Sequence, residues 1–122
     1  MIIEYSYNPC KPFSKGYYCT NVAVCQSEYR LFLIRYHDIY VVSTDGVYQY
    51  NLGTQETALW NPGGESDVPS VTYTHDVRTV IVKLQCSTTG TEEFEVLGED
   101  PTNYYTFRLT HKCACWNGCS SE

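Results

Sequence analysis

The sequence predicts an all-β protein, and two observations carry that prediction. Twelve tyrosines stand against one methionine and two tryptophans, and valine, isoleucine and threonine are plentiful while runs of helix formers are absent. Such a composition suits pleated, half-buried strands. Apolar and polar residues also alternate over short segments broken by turn residues, with no internal repeat and no low-complexity linker, which is the period of strands rather than helices.

The segments follow in order. IIEYSY, residues 2–7, alternates, while YRLFLIRY (29–36) and IYVV (39–42) read as more buried strands. In STDGVYQYNL the pair Asp45-Gly46 is expected to form a tight hairpin turn between YVV and VYQYNL, because that dipeptide tolerates the left-handed turn conformation. NPGGESDVPS, residues 61–70, is a loop by composition. VTYT, RTVIVKLQC, FEVLGE and NYYTFRLTH complete a set of about nine strands. Within RTVIVKLQC, Val80, Val82 and Leu84 face one way and Thr79, Ile81, Lys83 and Gln85 the other. Arg78 lies on the Val80 side at the start of the strand, where a charge marks the end of a core face.

At 122 residues the chain is expected to be a single domain, 1–122, able to bury roughly two thirds of its unfolded surface. Its formal charge of −6 with only eight lysines and arginines argues against a nucleic-acid partner, since phosphate binding needs a cationic footprint. No apolar run approaches the length of a membrane span, so no direct membrane insertion is expected. The opening MIIEYSYNPC lacks the basic and apolar regions of a signal peptide, which leaves an earlier natural start open.

Seven cysteines form two clusters, Cys10, Cys19 and Cys25 toward the front and Cys86, Cys113, Cys115 and Cys119 toward the back. Structural zinc usually takes two short knuckles. Here the close spacings are CxC and CxxxC with His111 just upstream, the front cysteines are too widely spaced, and His37 and His75 stand alone. No metal or other cofactor is therefore expected. A disulfide framework suits the pattern better and implies an oxidising compartment; an odd count leaves at least one thiol free or bonded elsewhere.

Catalytic signatures are absent: the sequence contains no GxSxG, no HExxH and no glycine-rich phosphate loop. No histidine can be placed beside a particular cysteine without guessing that His111 folds back on Cys113, and a cysteine nucleophile needs such a base. The acidic group Glu92, Glu93, Glu95, Glu99 and Asp100 reads as a solvated hairpin rather than a glycosidase pair. A binding domain, not an enzyme, is expected, with no catalytic residues.

NPCKPFSKGYYCTNVAVCQ, followed by RTVIVKLQC, FEVLGED and YYTFRLTHKCAC, resembles the mannose 6-phosphate receptor homology domain, the P-type lectin module, from about Cys10 to Cys115. Members carry a Gln directly after an early Cys, an Arg opening a strand that ends in Cys, a Glu after a short strand and a Tyr in the last strand before a closing Cys. Here those positions are Gln26 after Cys25, Arg78 eight residues before Cys86, Glu99, and Tyr105 six residues after Glu99 and ten before Cys115. Singly, each has an ordinary explanation as a strand cap, a surface ion pair or a core tyrosine. Their order and spacing together carry the resemblance.

The resemblance implies a flattened antiparallel β-barrel, stapled by disulfides, with a mannose pocket lined by Gln26, Arg78, Glu99 and Tyr105. The chemistry suits a sugar. Mannose differs from glucose in its axial 2-hydroxyl, which both donates and accepts, so Gln beside the donor fork of Arg can fix its direction. Glu99 would accept from adjacent hydroxyls, and Tyr105 would add a polar contact and a flat apolar wall. It also implies a Cys86–Cys115 disulfide. Cys113 and Cys119 lie beyond the family pattern and are left to pair with each other or to reach back to Cys19, while Cys10 with Cys25 and Cys10 with Cys19 are both feasible.

Two departures from the family stand out. Many members carry an extra Cys two residues before the binding Tyr, where this chain has Asn103, and the 61–70 loop has no Cys to pair with it. The paired tryptophans of relatives that read untrimmed mannose in the endoplasmic reticulum are missing, Trp60 and Trp116 being isolated. The expected partners are mannose-containing N-glycans or glycoproteins, bearing mannose or mannose 6-phosphate, in the secretory or endolysosomal lumen or outside the cell. Plain mannose is the favoured ligand on so acidic a chain. The alternative is a structural or protein-interaction domain on the same barrel that binds no sugar.

Overall fold

The computed structural model describes residues 2–36 and 39–115; His37, Trp116 and Cys119 fall outside them. It is all-β. The strands are β1 (Ile2–Tyr7), β2 (Phe13–Lys15), β3 (Cys19–Val22), β4 (Val24–Tyr36), β5 (Ile39–Gly53), β6 (Leu59–Asn61), β7 (Ser70–His75), β8 (Arg78–Cys86), β9 (Glu93–Glu99) and β10 (Tyr104–His111). Among the described residues two single 3-10 turns accompany them, at Gln55–Thr57 and Lys112–Ala114. The described residues thus hold ten strands where alternation predicts about nine, because three-residue strands such as β2 and β6 are too short to show a period.

Three strands in the order β1-β4-β5 form one sheet, five in the order β6-β7-β8-β10-β9 form another, and β2-β3 is a small hairpin. The two main sheets face each other across the core. No ring of strand pairing closes them among the described residues, so the flattened barrel is found as a pair of opposed sheets. Nor is the pairing antiparallel throughout: β10 lies between β8 and β9 and runs parallel to β8, from Tyr104 opposite Thr79 to His111 opposite Cys86. The β9-β10 hairpin folds back so that its second strand, not its first, joins β8.

The expected turn at Asp45-Gly46 is corrected. β5 continues from Ile39 to Gly53 and pairs along β4 from Tyr36–Ile39 to Val24–Gly53, so the strand runs on through Asp45 and Gly46 instead of reversing there. The ladder steps from Tyr29–Val47 to Leu31–Thr44, which sets Asp45 and Gly46 against the single residue Arg30. The same dipeptide chemistry that favours a tight turn here serves a bulge inside a long ribbon.

Alternation fixes the core. Val80 and Val82 of β8 are fully buried, and opposite them stand Tyr105 and Phe107 of β10 and Tyr73 of β7. The facing sheet contributes Val24 and Leu52, joined by Ala23 from the bend before β4 and flanked by Tyr5, Tyr7 and Tyr50. Aromatic rings interlock across the interface: Tyr5 lies 5.1 Å from Phe107, and Tyr7 meets Tyr73 edge-on at 5.7 Å with their hydroxyls 2.8 Å apart. A Cβ on Gly53 would come within 2.5 Å of the Tyr73 Cβ. Glycine there lets the two sheets touch.

Cys86 and Cys115 are joined, as the resemblance implied, across 29 residues. They tie the end of β8 to the segment just beyond β10. At the front the pair is Cys19–Cys25, so neither Cys10–Cys25 nor Cys10–Cys19 forms, and neither Cys113 nor Cys119 reaches back to Cys19. Geometry decides it: Cys19 and Cys25 are fully buried in a satellite core with Val22 and Phe13, their Cα atoms 6.0 Å apart. Cys10 instead sits exposed in a turn whose Cys10 and Lys11 N–H groups donate to the Asn8 Oδ1, and its thiol is free. Cys113 is also disulfide-bonded. These bonds imply an oxidising environment for the folded chain.

Candidate functional site

At one end the two sheets present polar side chains to each other. From the three-stranded sheet, cross-strand pairing lines up Tyr5, Gln26 and Tyr50 in one row and Ile3, Glu28 and Tyr48 in the next. Directly opposed residues share a face, so this face passes from apolar Tyr7, Val24 and Leu52 in the core to polar residues at the mouth. The five-stranded sheet answers with Arg78 at the start of β8, Tyr105 near the start of β10 and Glu99 at the end of β9.

A bulge aims Glu99. Thr106 pairs with Gly98 but Phe107 pairs with Val96, leaving Leu97 as an extra residue. In an unbroken strand Phe94, Val96 and Gly98 would share the inner face and Glu99 would point outward. The inserted residue shifts the phase, so Glu99 opposes Tyr105 and shares its inner face. Gly98 takes φ +128 at this kink, a conformation that side chains strongly disfavour.

The β9-β10 turn then holds Glu99 in place. Asn103 adopts φ +71, a left-handed conformation that Asn tolerates better than most residues. Its N–H donates to the Glu99 Oε2 at 2.8 Å, and its carbonyl accepts from the Thr79 N–H at 2.9 Å, beside Arg78. Asn103, where many members of the resembling family have a cysteine, thus links the Glu99 and Arg78 segments by backbone hydrogen bonds.

The four residues singled out from the sequence come together around Tyr50. The Arg78 guanidinium lies over the Tyr50 ring, 4.8 Å from its centroid, and Gln26 is the cross-strand neighbour of Tyr50. Arg78 and Glu99 lie near enough to the Tyr105 phenol for each to act on its pKa, in opposite directions, and its ring packs edge-on against Tyr5 at 6.1 Å. Gln26 is 3 % exposed. Its amide N–H donates to the Glu28 Oε1 at 3.2 Å, which fixes the amide and leaves the other end, Oε1, buried with no protein partner. The Arg78 Nε is likewise buried and unpaired. Those are two of the four such side-chain atoms among the described residues, and both flank Tyr50.

The phenols stay protonated. Burial first, then the Glu99 charge, raise the Tyr105 pKa against the opposing pull of Arg78. Tyr5 is pushed up to about 12 by burial, with Tyr105, Glu99 and Glu28 adding to the shift. At neutral pH the mouth therefore offers hydroxyl donors at Tyr5 and Tyr105, an acceptor at the Gln26 Oε1, a fixed cation at Arg78 and carboxylates at Glu28 and Glu99. Opposed donors and acceptors around an aromatic wall suit a neutral polyhydroxyl ligand.

Tyr5, Glu28 and Tyr50 belong to this site and were missed in the sequence. The signal was period two: Gln26 with Glu28 and Tyr48 with Tyr50 are same-face pairs once the strands are paired. Compared with known proteins, the chain matches no family model, no curated protein and no solved structure.

Proposed function

We propose that the chain is a carbohydrate-binding domain that recognises mannose through Gln26, Arg78, Glu99 and Tyr105, in the manner of the P-type lectins it resembles. One observation carries the reading: the buried Gln26 Oε1 lacks a donor and the buried Arg78 Nε lacks an acceptor, Gln26 being the cross-strand neighbour of Tyr50 and Arg78 lying over its ring. Leaving such atoms unsatisfied is costly. A sugar hydroxyl does both jobs at once, donating to the glutamine oxygen and accepting from the arginine. The axial 2-hydroxyl of mannose is the group whose direction separates it from glucose. Glu99, held by the Asn103 N–H, accepts from a neighbouring hydroxyl, and the Tyr105 phenol donates to a ring substituent.

An oxidising compartment fits lectin function in the secretory or endolysosomal lumen or outside the cell, with glycoproteins bearing N-linked mannose as partners. A single shallow pocket binds weakly, so useful avidity needs several copies. A second reading, a protein-interaction domain without sugar binding, is favoured by the edge strand β9, where Phe94, Val96 and Leu97 are exposed, since an open apolar edge can pair with another chain.

Titration of the folded domain with mannose, mannose 6-phosphate and glucose separates the two. The lectin reading expects mannose to bind at least about tenfold more tightly than glucose, the equivalent of one well-made hydrogen bond. Saturating amounts of all three sugars without a signal would transfer the case to the interaction reading.

A further inference from the structure

A second polar cavity lies on the other face of the five-stranded sheet, away from the mouth. Cross-strand register lines up Asn61, Ser70, Lys83, Arg108 and Glu95 in one row across β6, β7, β8, β10 and β9. Directly opposed residues share a face, and the strand neighbours Val82 and Phe107 are buried in the core, so this row points outward. The 61–70 loop forms the facing wall: Ser66 and Asp67, together with Asn61, Ser70, Lys83 and Arg108, line a cavity of about 330 Å3. Hydrogen bonds within the loop set that wall, the Gly63 N–H donating to the Asn61 Oδ1 at 2.9 Å and the Gly64 N–H to the Asp67 carbonyl at 3.1 Å. With its oxygen engaged, the Asn61 side chain has its NH2 left to donate.

The charges around this cavity do not satisfy one another. Lys83 and Arg108 stand directly opposite each other, and like charges so placed destabilise a sheet. Arg108 has its carboxylate, Glu95 at 3.5 Å, on the strand away from Lys83. Neither Lys83 nor Asp67 forms an ion pair among the described residues. From this arrangement we infer a second binding site, for a carboxylate carried on a small hydroxylated molecule, the chemistry of an acidic sugar. A carboxylate between Lys83 and Arg108 turns their repulsion into two attractions, and its planar pair of oxygens matches the guanidinium fork. The Asn61 amide and the Ser70 hydroxyl continue the row of donors, while Asp67 on the loop accepts from a hydroxyl of the same ligand. A second negative charge would be repelled by Asp67 and Glu95, so the group is a carboxylate and not a phosphate monoester. The site shares no residue with the Gln26 and Arg78 mouth, and the inference stands independently of the mannose reading.

Calorimetric titration of the folded domain with glucuronate, glucose and glucose 6-phosphate tests this, comparing wild type, Lys83→Gln and Lys83→Arg. Wild type should bind glucuronate at least about tenfold more tightly than glucose, as one charge-assisted hydrogen bond provides, and saturating mannose should leave that affinity unchanged. Lys83→Gln should weaken glucuronate about tenfold, while Lys83→Arg, which keeps the charge, should retain it. Raising the salt concentration should weaken wild-type binding too, because the charges are open to solvent. Lys83 is exposed, so both variants should fold, and an unchanged thermal transition checks it. Glucuronate bound no better than glucose, bound equally by Lys83→Gln, displaced by mannose or outmatched by glucose 6-phosphate overturns the site. None of these results touches the mouth, whose test is the mannose titration.

Discussion

Replacing Arg78 by alanine should separate binding from folding, and the structure allows both sides to be weighed. The folded state loses a cation–π contact over Tyr50 at 4.8 Å and the attraction of the guanidinium for the Tyr105 phenol, together worth about 1–2 kcal/mol for half-buried groups. It is also relieved of the buried, unpaired Nε, a burden of roughly 1–3 kcal/mol. These nearly cancel. A chain of 122 residues has an unfolding entropy near 0.26 kcal/mol/K, so a net change within about 1 kcal/mol moves Tm by no more than about 4 °C. On the proposed mannose reading, affinity for the sugar should by contrast drop by roughly ten- to a hundredfold with the loss of a charge-assisted hydrogen bond of about 1.5–3 kcal/mol. Arg78→Lys should bind nearly as poorly, because an ammonium cannot reproduce the planar fork. Thermal unfolding followed by circular dichroism gives the first quantity and sugar titration the second. A fall in Tm beyond about 8 °C would make Arg78 a structural residue, and mannose affinity equal to wild type would remove it from the pocket.

Three further outcomes are expected. Gly53→Ala should destabilise the domain by about 1–3 kcal/mol, measured by urea unfolding, because the new methyl would collide with Tyr73 where the sheets touch. Replacing both Cys86 and Cys115 by alanine opens a 29-residue link and should cost about 3.5 kcal/mol by the chain-entropy estimate, visible as a fall in Tm of roughly 10–15 °C. Stability should also decline at alkaline pH: burial raises Tyr5 to about 12 and lifts Tyr7 and Tyr73 as well, so above about pH 10 the unfolded chain gives up phenolic protons that the folded chain retains. The stabilisation is complete below pH 10 and is lost as the pH rises through the folded values; Tm measured from pH 8 to 12 should show the fall, and Tyr5→Phe should lessen it.

Much of the fold was legible because strands advertise themselves by alternation. RTVIVKLQC became β8 with Val80 and Val82 buried, and NYYTFRLTH became β10 with Tyr105 and Phe107 beside them. What alternation cannot give is partner choice. Asp45-Gly46 has the chemistry of a tight turn, yet the pairing of β4 with β5 absorbs it as a bulge, and nothing local to RTVIVKLQC says that its neighbour runs parallel. The front disulfide was hidden for a related reason: spacing allows Cys10 to reach either partner, and only burial of Cys19 and Cys25 around Val22 decides between them. Gln26, Arg78, Glu99 and Tyr105 were found through family spacing, whereas Tyr5, Glu28 and Tyr50 enter the site only through cross-strand register.

Leu97, the extra residue in β9, makes the orientation of Glu99 a matter of counting rather than of chemical identity. Substitutions along Phe94 to Gly98 alter packing or strain, but each keeps the count and so keeps the carboxylate in the mouth. Loss of the Leu97 codon would straighten the ladder with Glu99 still inward opposite Tyr105, whereas gain of one codon beside it, with a single bulge kept, would turn Glu99 to the opposite face with every residue type in the site preserved. A descendant of this sequence could thus lose its acceptor while still displaying glutamine, arginine, glutamate and tyrosine in the same order. In tracing such descendants, the length of the segment between Phe94 and Glu99 is more informative than the letters within it.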